Sequence, residues 1–273
     1  MSGLEQLGAD ISLDVNVVLD EYLDNPLELF MEERMTDSNN RFCRRDKELS
    51  FHKWDLLDVF RWKLMPDDSS YVSGHLYLQA YKAAFLQFNR DKIIRYAHQE
   101  NIPLLLLSGT VVQEVGGKPD RLKYIIYLKR IFLDDVKNRN NNQSNGTSFG
   151  AVAMQLRAAA ETLGINPANL STTQQLQLAG CLLDDDFNIK TVAKHLKELI
   201  LFDNPNIEDT SNLTDEQLIL AGSRYNRGIK RDKSDIIKSI NSPKGMPERE
   251  YSSYGRRIIE KRKVIMKIMG GSK

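Results

Sequence analysis

Apolar residues recur at spacings of three and four along almost the whole chain, which predicts helices throughout. The first 38 residues carry this spacing through Val17, Leu19, Leu23 and Leu27. A polar run from Thr36 to Ser50 reads as loop. Residues 51–65 (Phe51, Trp54, Leu57, Val59, Phe60, Trp62, Leu64) form a dense aromatic segment read as a helix. Pro66 to Ser70 is a turn. Helices follow at about 73–88 and 91–100. Asn101-Ile102-Pro103 then breaks the chain, with Pro103 in the first turn of the next helix. Further helices are predicted over 120–137, from the Gly150 region to Leu163, over 171–183, 187–202 and 214–223, and through a basic segment ending near Met269. Between the first and second of these stretches, Asn138 to Ser148 is a polar, low-complexity segment that reads as a mobile loop. No stretch has a strand period and there is no internal repeat, so the expected fold class is all-α. A helical region over 1–90 would precede a second unit over 91–273.

The most unusual stretch is Leu104 to Gly117. Leu104, Leu107, Val111 and Val115 share one helical face, Glu114 falls in the last turn, and Gly116-Gly117 supply a helix stop. An acid flanked by apolar residues at the negative end of a helix is pushed towards its neutral form. A carboxyl kept protonated near neutrality is the proton donor that a glycosidic leaving oxygen requires. The competing reading is an ordinary exposed Glu at a helix terminus.

Composition narrows the classes. The chain has 273 residues, 41% hydrophobic and 27% charged, as in a soluble globular protein. No segment has the length of a bilayer span and none reads as a secretory signal. Cys43 and Cys181 read as reduced packing residues, and the four scattered histidines have no ligand spacing, so neither metal nor cofactor is expected. The net charge of +1 hides an asymmetry: the first 38 residues hold ten acids and one base, the last fifty hold fifteen bases and five acids. The two ends can pair with each other, or the basic end can face an anionic polymer such as cell-wall glycan. Nucleic acid ranks lower, because the tail lacks interleaved aromatics and any known nucleic-acid module. Trp54 and Trp62 can stack on sugars, but their helical setting favours core packing.

Two further blocks stand out. Small residues around Gly150 in Thr147 to Gln155 allow close backbone approach to a ligand, and Gln155 offers both a donor and an acceptor. Tyr225-Asn226-Arg227-Gly228 closes a helix that begins with capping-box chemistry at Thr214 to Gln217.

Taken in order, these blocks resemble the lysozyme-like fold of lytic transglycosylases and goose-type lysozymes over roughly residues 93–260. Glu114 closes the apolar helix, and Gly150 to Gln155 matches a Gly-Leu-Met-Gln block. Asn188-Ile189 leads a helix with Ala193 and Leu196-Lys197-Glu198-Leu199, and Tyr225-Asn226-Arg227-Gly228 matches a Tyr-Asn-x-Gly block. Val115 departs from the usual Ser, the middle block is longer than usual, and the first 90 residues match nothing.

The resemblance implies a peptidoglycan-cleaving enzyme, a muramidase or lytic transglycosylase, with Glu114 as general acid and then base. It implies Tyr225 beside the Glu114 carboxyl, Gln155 with Gly150 and Ser148 on the sugar, and Asn226 bracing its loop. Tyr225 as plain core is the alternative. Hydrolysis with inversion needs a second carboxylate some 6.5–9.5 Å away. The candidates are Asp120, Asp134 and Asp135, while Asp184-Asp185-Asp186 reads as a solvated turn. Without such a partner, an intramolecular reaction is the other route. The partners implied are peptidoglycan glycan strands, a cognate immunity protein and a secretion-machine component. The protein would be made in the cytoplasm and act in the periplasm or on the wall after delivery as an antibacterial type VI secretion effector. The alternatives are a phage-type endolysin, or a non-enzymatic helical scaffold that binds an anionic polymer.

Overall fold

The computed structural model describes residues 40–43, 50–138 and 140–270. The helical spacing from Val17 to Leu27 lies outside the described residues. Among those described, twelve α-helices carry the fold: α1 Leu56–Lys63, α2 Gly74–Phe88, α3 Arg90–Gln99, α4 Leu104–Glu114, α5 Asp120–Leu133, α6 Leu156–Thr162, α7 Thr172–Leu182, α8 Asp185–Asp203, α9 Asp215–Arg227, α10 Lys233–Asn241, α11 Ser253–Glu260 and α12 Arg262–Ile268. Their starts follow from local chemistry. Asp55 and Asp58, Ser171 and Gln174, and Thr214 and Gln217 form reciprocal capping boxes on α1, α7 and α9.

Helix α4 is the hub. Every residue from Leu105 to Val112 is buried, as expected of a helix that is apolar on nearly all sides. Helices α2, α3, α8, α9, α11 and α12 all pack on it. The buried Ser108 hydroxyl near its middle donates to the Leu104 carbonyl at 2.6 Å. Gly109 lets α11 approach closely, since a Cβ there would stand 2.4 Å from Cγ2 of Ile258. On the same side, a Cβ on Gly255 would stand 2.0 Å from the Ile219 carbonyl oxygen, so α11 lies directly against α9. The 19-residue α8 crosses behind, burying Ile189, Val192, Ala193, Leu196 and Ile200 completely.

Three expectations need correction. Cys43 and Cys181 are not free thiols but a disulfide, with Cα atoms 5.9 Å apart across 138 residues of sequence. The chain brings residues 40–43 back onto α7, where the Asn40 side-chain amide donates to the Gln177 carbonyl at 2.8 Å. There is also strand pairing, Ser148–Phe149 (β1) against Met154–Gln155 (β2), antiparallel with Ser148 opposite Gln155. Two-residue strands are too short to show a period. Third, the polar segment before β1 is anchored. Ser144 and Asn145 are buried, and Asp134 Oδ1 and Oδ2 accept from the Gln143 and Ser144 backbone N–H groups at 3.1 and 2.7 Å. Asn141 donates to the Pro167 and Leu170 carbonyls, each at 2.9 Å.

Candidate active site

Glu114 is the last residue of α4. Val115 is extended, and Gly116, at φ +75°, turns the chain away in a conformation that other residues adopt only with strain. The turn is held from the N-terminal side: Trp54 Nε1 donates to the Gly117 carbonyl at 2.8 Å, and the Trp54 ring packs edge-on against Tyr81 at 4.7 Å. Trp54 therefore serves as a packing residue that clamps the Glu114 turn.

The Glu114 side chain keeps an opening to solvent, but its carboxyl is surrounded by protein. Oε1 accepts a 2.8 Å hydrogen bond from Tyr254 Oη on α11. Burial raises the Glu114 pKa, while the Tyr254 hydrogen bond and the charges of Lys123 and Lys82 pull it partly back. Lys82 is buried in α2 and donates to the Val112 and Gln113 carbonyls at 2.6 and 3.2 Å, capping the helix end that carries Glu114. Burial, and secondarily Lys261, lowers the Lys82 pKa to about 8.

Tyr225 lies close by, but its hydroxyl donates to the Ala153 carbonyl at 3.1 Å, so the hydrogen bond on Glu114 comes from Tyr254. The two rings are 6.2 Å apart. Burial and the Glu114 charge push both phenols well above their ordinary range, leaving two neutral donors beside one carboxyl. Tyr254 and Lys82 were missed in the sequence. Tyr254 shares a face with Ile258 and reads as core. Lys82 left a signal: a lysine among Leu78, Phe85 and Leu86 on the buried face of α2.

The β1–β2 hairpin faces this site. Lys123 Nζ reaches both Asp120 Oδ1 at 2.8 Å and the Gly150 carbonyl at 3.2 Å. Gly150 itself is buried at φ +86°. A Cβ there would strike the Leu182 carbonyl at 2.3 Å and the Asn188 side-chain amide at 2.7 Å. Its close approach is thus to the protein's own α7–α8 junction and not to a ligand. Asn188 holds the hairpin by pairing with both the N–H and the C=O of Val152, at 2.9 and 3.1 Å. Ser148 is half-buried opposite Gln155. Gln155 is exposed, and its Oε1 accepts from Arg157 at 3.1 Å. Asn226 is exposed on the last turn of α9. The loop after α9 is braced instead by buried Arg224, which bonds the Gly228 and Arg231 carbonyls and pairs bidentately with Asp203 at 2.8 and 2.9 Å.

Of the candidate second carboxylates, Asp134 has both oxygens engaged by the loop backbone and Asp135 is exposed. Asp120 alone is tied to the surroundings of Glu114, through Lys123, which neutralises it. His52, Asp55 and Asp58 offer ligand atoms within 4.8 Å of one another. The Asp58 oxygens already accept from the Asp55 N–H, from His52 and from the Tyr77 hydroxyl, so this cluster caps α1. No helix among the described residues is long and apolar enough to cross a membrane. No protein-family model, curated protein or solved structure matches the chain.

Proposed function

We propose that the protein cleaves the glycan strand of peptidoglycan, with Glu114 as the proton donor. The observation that carries this reading is a carboxyl at the end of a buried helix, raised in pKa by burial yet hydrogen-bonded by a tyrosine that stays neutral. Burial keeps the proton on Glu114 until a glycosidic oxygen approaches. The proton then passes to that oxygen as the bond from C1 breaks, and the Tyr254 bond, with Lys82 and Lys123, steadies the carboxylate that forms. Glu114 next takes the proton of the attacking hydroxyl. With Asp134 engaged by backbone, Asp135 exposed and Asp120 paired with Lys123, the sugar's own 6-hydroxyl suits that role better than a water activated by a second carboxylate.

The Cys43–Cys181 disulfide suits action in an oxidising compartment such as the periplasm. Delivery as an antibacterial toxin, with an immunity protein that plugs the cleft, accords with it. The test is compartment-specific expression. Protein kept in a Gram-negative cytoplasm should be harmless, the same protein fused to an export signal should lyse the cells, and Glu114→Gln should cancel lysis. Toxicity confined to the cytoplasm would overturn the assignment.

A further inference from the structure

Helix α5 carries a second feature on the face that Lys123 occupies. Arg130 follows Lys123 by seven residues, two helical turns, which places it on the same stripe about 10 Å further along. There Arg130 and Arg157 border a cleft of about 310 Å³ whose other lining residues are Asn142, Gln143, Gly146 and Gln155. The lining contains two cations, three amides and no acid. Arg130 donates to Thr147 Oγ1 and Arg157 to Gln155 Oε1, each at 3.1 Å. Among the described residues, neither guanidinium forms an ion pair with a carboxylate. Asp134, one turn beyond Arg130, is occupied by the backbone N–H groups of Gln143 and Ser144.

The two guanidinium heads converge on one point. A Cβ on Gly146 would stand 3.6 Å from an Arg157 nitrogen and 3.9 Å from an Arg130 nitrogen. Two cations held this close without a counter-charge repel each other, and an oxyanion between them would relieve that repulsion with charge-assisted hydrogen bonds. The position is continuous with the candidate site. The hairpin that meets Lys123 at Gly150 and Tyr225 at Ala153 ends at Gln155, on the cleft wall.

We propose that Arg130 and Arg157 bind a carboxylate carried by the glycan substrate, fixing the strand in register with Glu114. This rests on the glycan-cleavage reading for the identity of the carrier, whereas the oxyanion chemistry stands on the arginines. Two sources present the same group: the lactyl carboxylate of a peptide-free muramyl sugar, and the carboxylates of an attached peptide.

The experiment uses the full chain carrying Glu114→Gln, so that ligands survive, and titrates three probes by calorimetry: a muramyl-peptide disaccharide, its peptide-free form, and an uncharged chitin tetramer. At low salt, at least one charged probe should bind about tenfold or more tighter than the chitin tetramer, a difference worth about 1.4 kcal/mol, and the advantage should shrink as salt rises. Which charged probe shows the advantage identifies the source. The double variant Arg130→Gln with Arg157→Gln should lose the preference while binding the chitin tetramer as before. Gly146→Asp, which sets an internal carboxylate between intact arginines, should lose it too. No preference in the intact cleft, no binding of any probe, or a preference that survives in both variants would overturn the site. Digestion of isolated cell-wall sacculi by wild type separates the two ideas. Digestion without charge preference removes the site and spares the enzyme reading, and charge preference without digestion does the reverse.

Discussion

Tyr254 reaches the Glu114 carboxyl across 140 residues of sequence, with Oη 2.8 Å from Oε1. The contact depends on two glycines: Gly109 admits Ile258 against α4, and Gly255 admits the α9 backbone against α11. Since the bond favours the ionised form, Tyr254→Phe should raise the Glu114 pKa further above its ordinary value. The high-pH limb of the kcat/KM profile should move upward, and kcat should fall by about 10²-fold as the forming carboxylate loses a donor. A profile that stays in place would show that the tyrosine only packs.

Glu114 also leaves a signature in stability that does not depend on activity. Its folded pKa is raised by burial, so the native state holds this proton more tightly than the unfolded chain. Its contribution is present below the unfolded pKa and is lost as pH rises through the folded pKa. Glu114→Gln should therefore gain on wild type over that window and be at least as stable near neutrality. Urea midpoints from pH 4 to 8 measure this, and a variant that loses ground with rising pH would contradict the buried, protonated carboxyl.

Lys82 titrates with the opposite sense. Its folded pKa of about 8 lies below the ordinary 10.5, so the cost of burying the charge is present below pH 8 and is relieved between 8 and 10.5. Wild type should gain stability on Lys82→Met across that interval. Loss of the donor to the Val112 and Gln113 carbonyls works against the variant by about 1–3 kcal/mol, opposed below pH 8 by relief of the buried charge. The same variant should raise the Glu114 pKa, since a nearby positive charge is lost. Parallel pH curves for the two proteins would count against a buried ammonium.

The helical class, most helix positions and the end of α4 at Glu114 were legible because buried helices impose a 3.6-residue period and caps have local signatures. The partners of Glu114 were not. Tyr254 and Lys82 touch it only through long-range packing, and an aromatic or lysine on a buried face looks the same in sequence whether it fills space or faces a carboxyl. Asn188 and Gly150 were picked out by motif, but what they do, locking the hairpin onto α8, is visible only in three dimensions. The disulfide was misread because cysteines 138 residues apart in a cysteine-poor chain carry no pairing information.

That disulfide closes a long loop, and constraining the unfolded chain to this extent is worth about 5 kcal/mol. Reduction, or Cys43→Ser, should lower the denaturation midpoint, measured with and without a thiol reductant. An unchanged midpoint would mean that the link at α7 adds nothing to the fold.

The basic C-terminal segment divides by role. Arg256 bonds the Ser239 carbonyl at 3.0 Å as well as Ser252 and Arg249, and Arg262 pairs with Asp215, so both hold the fold. Exposed Arg257, Lys263 and Lys267 are the groups free to meet a wall polymer. Reversing these three should weaken sacculus binding and flatten its salt dependence, while turnover of short neutral glycans stays within about twofold. Equal losses on both substrates would assign the segment a structural role.

The central claim is that Glu114 is a positioned acid acting on peptidoglycan, and digestion of purified sacculi tests it most directly. Wild-type protein should release soluble muropeptides, with 1,6-anhydro ends if the 6-hydroxyl attacks. Glu114→Gln should release none while melting no lower than wild type at neutral pH. Sacculi left intact by wild type, or digested equally by Glu114→Gln, would contradict the account.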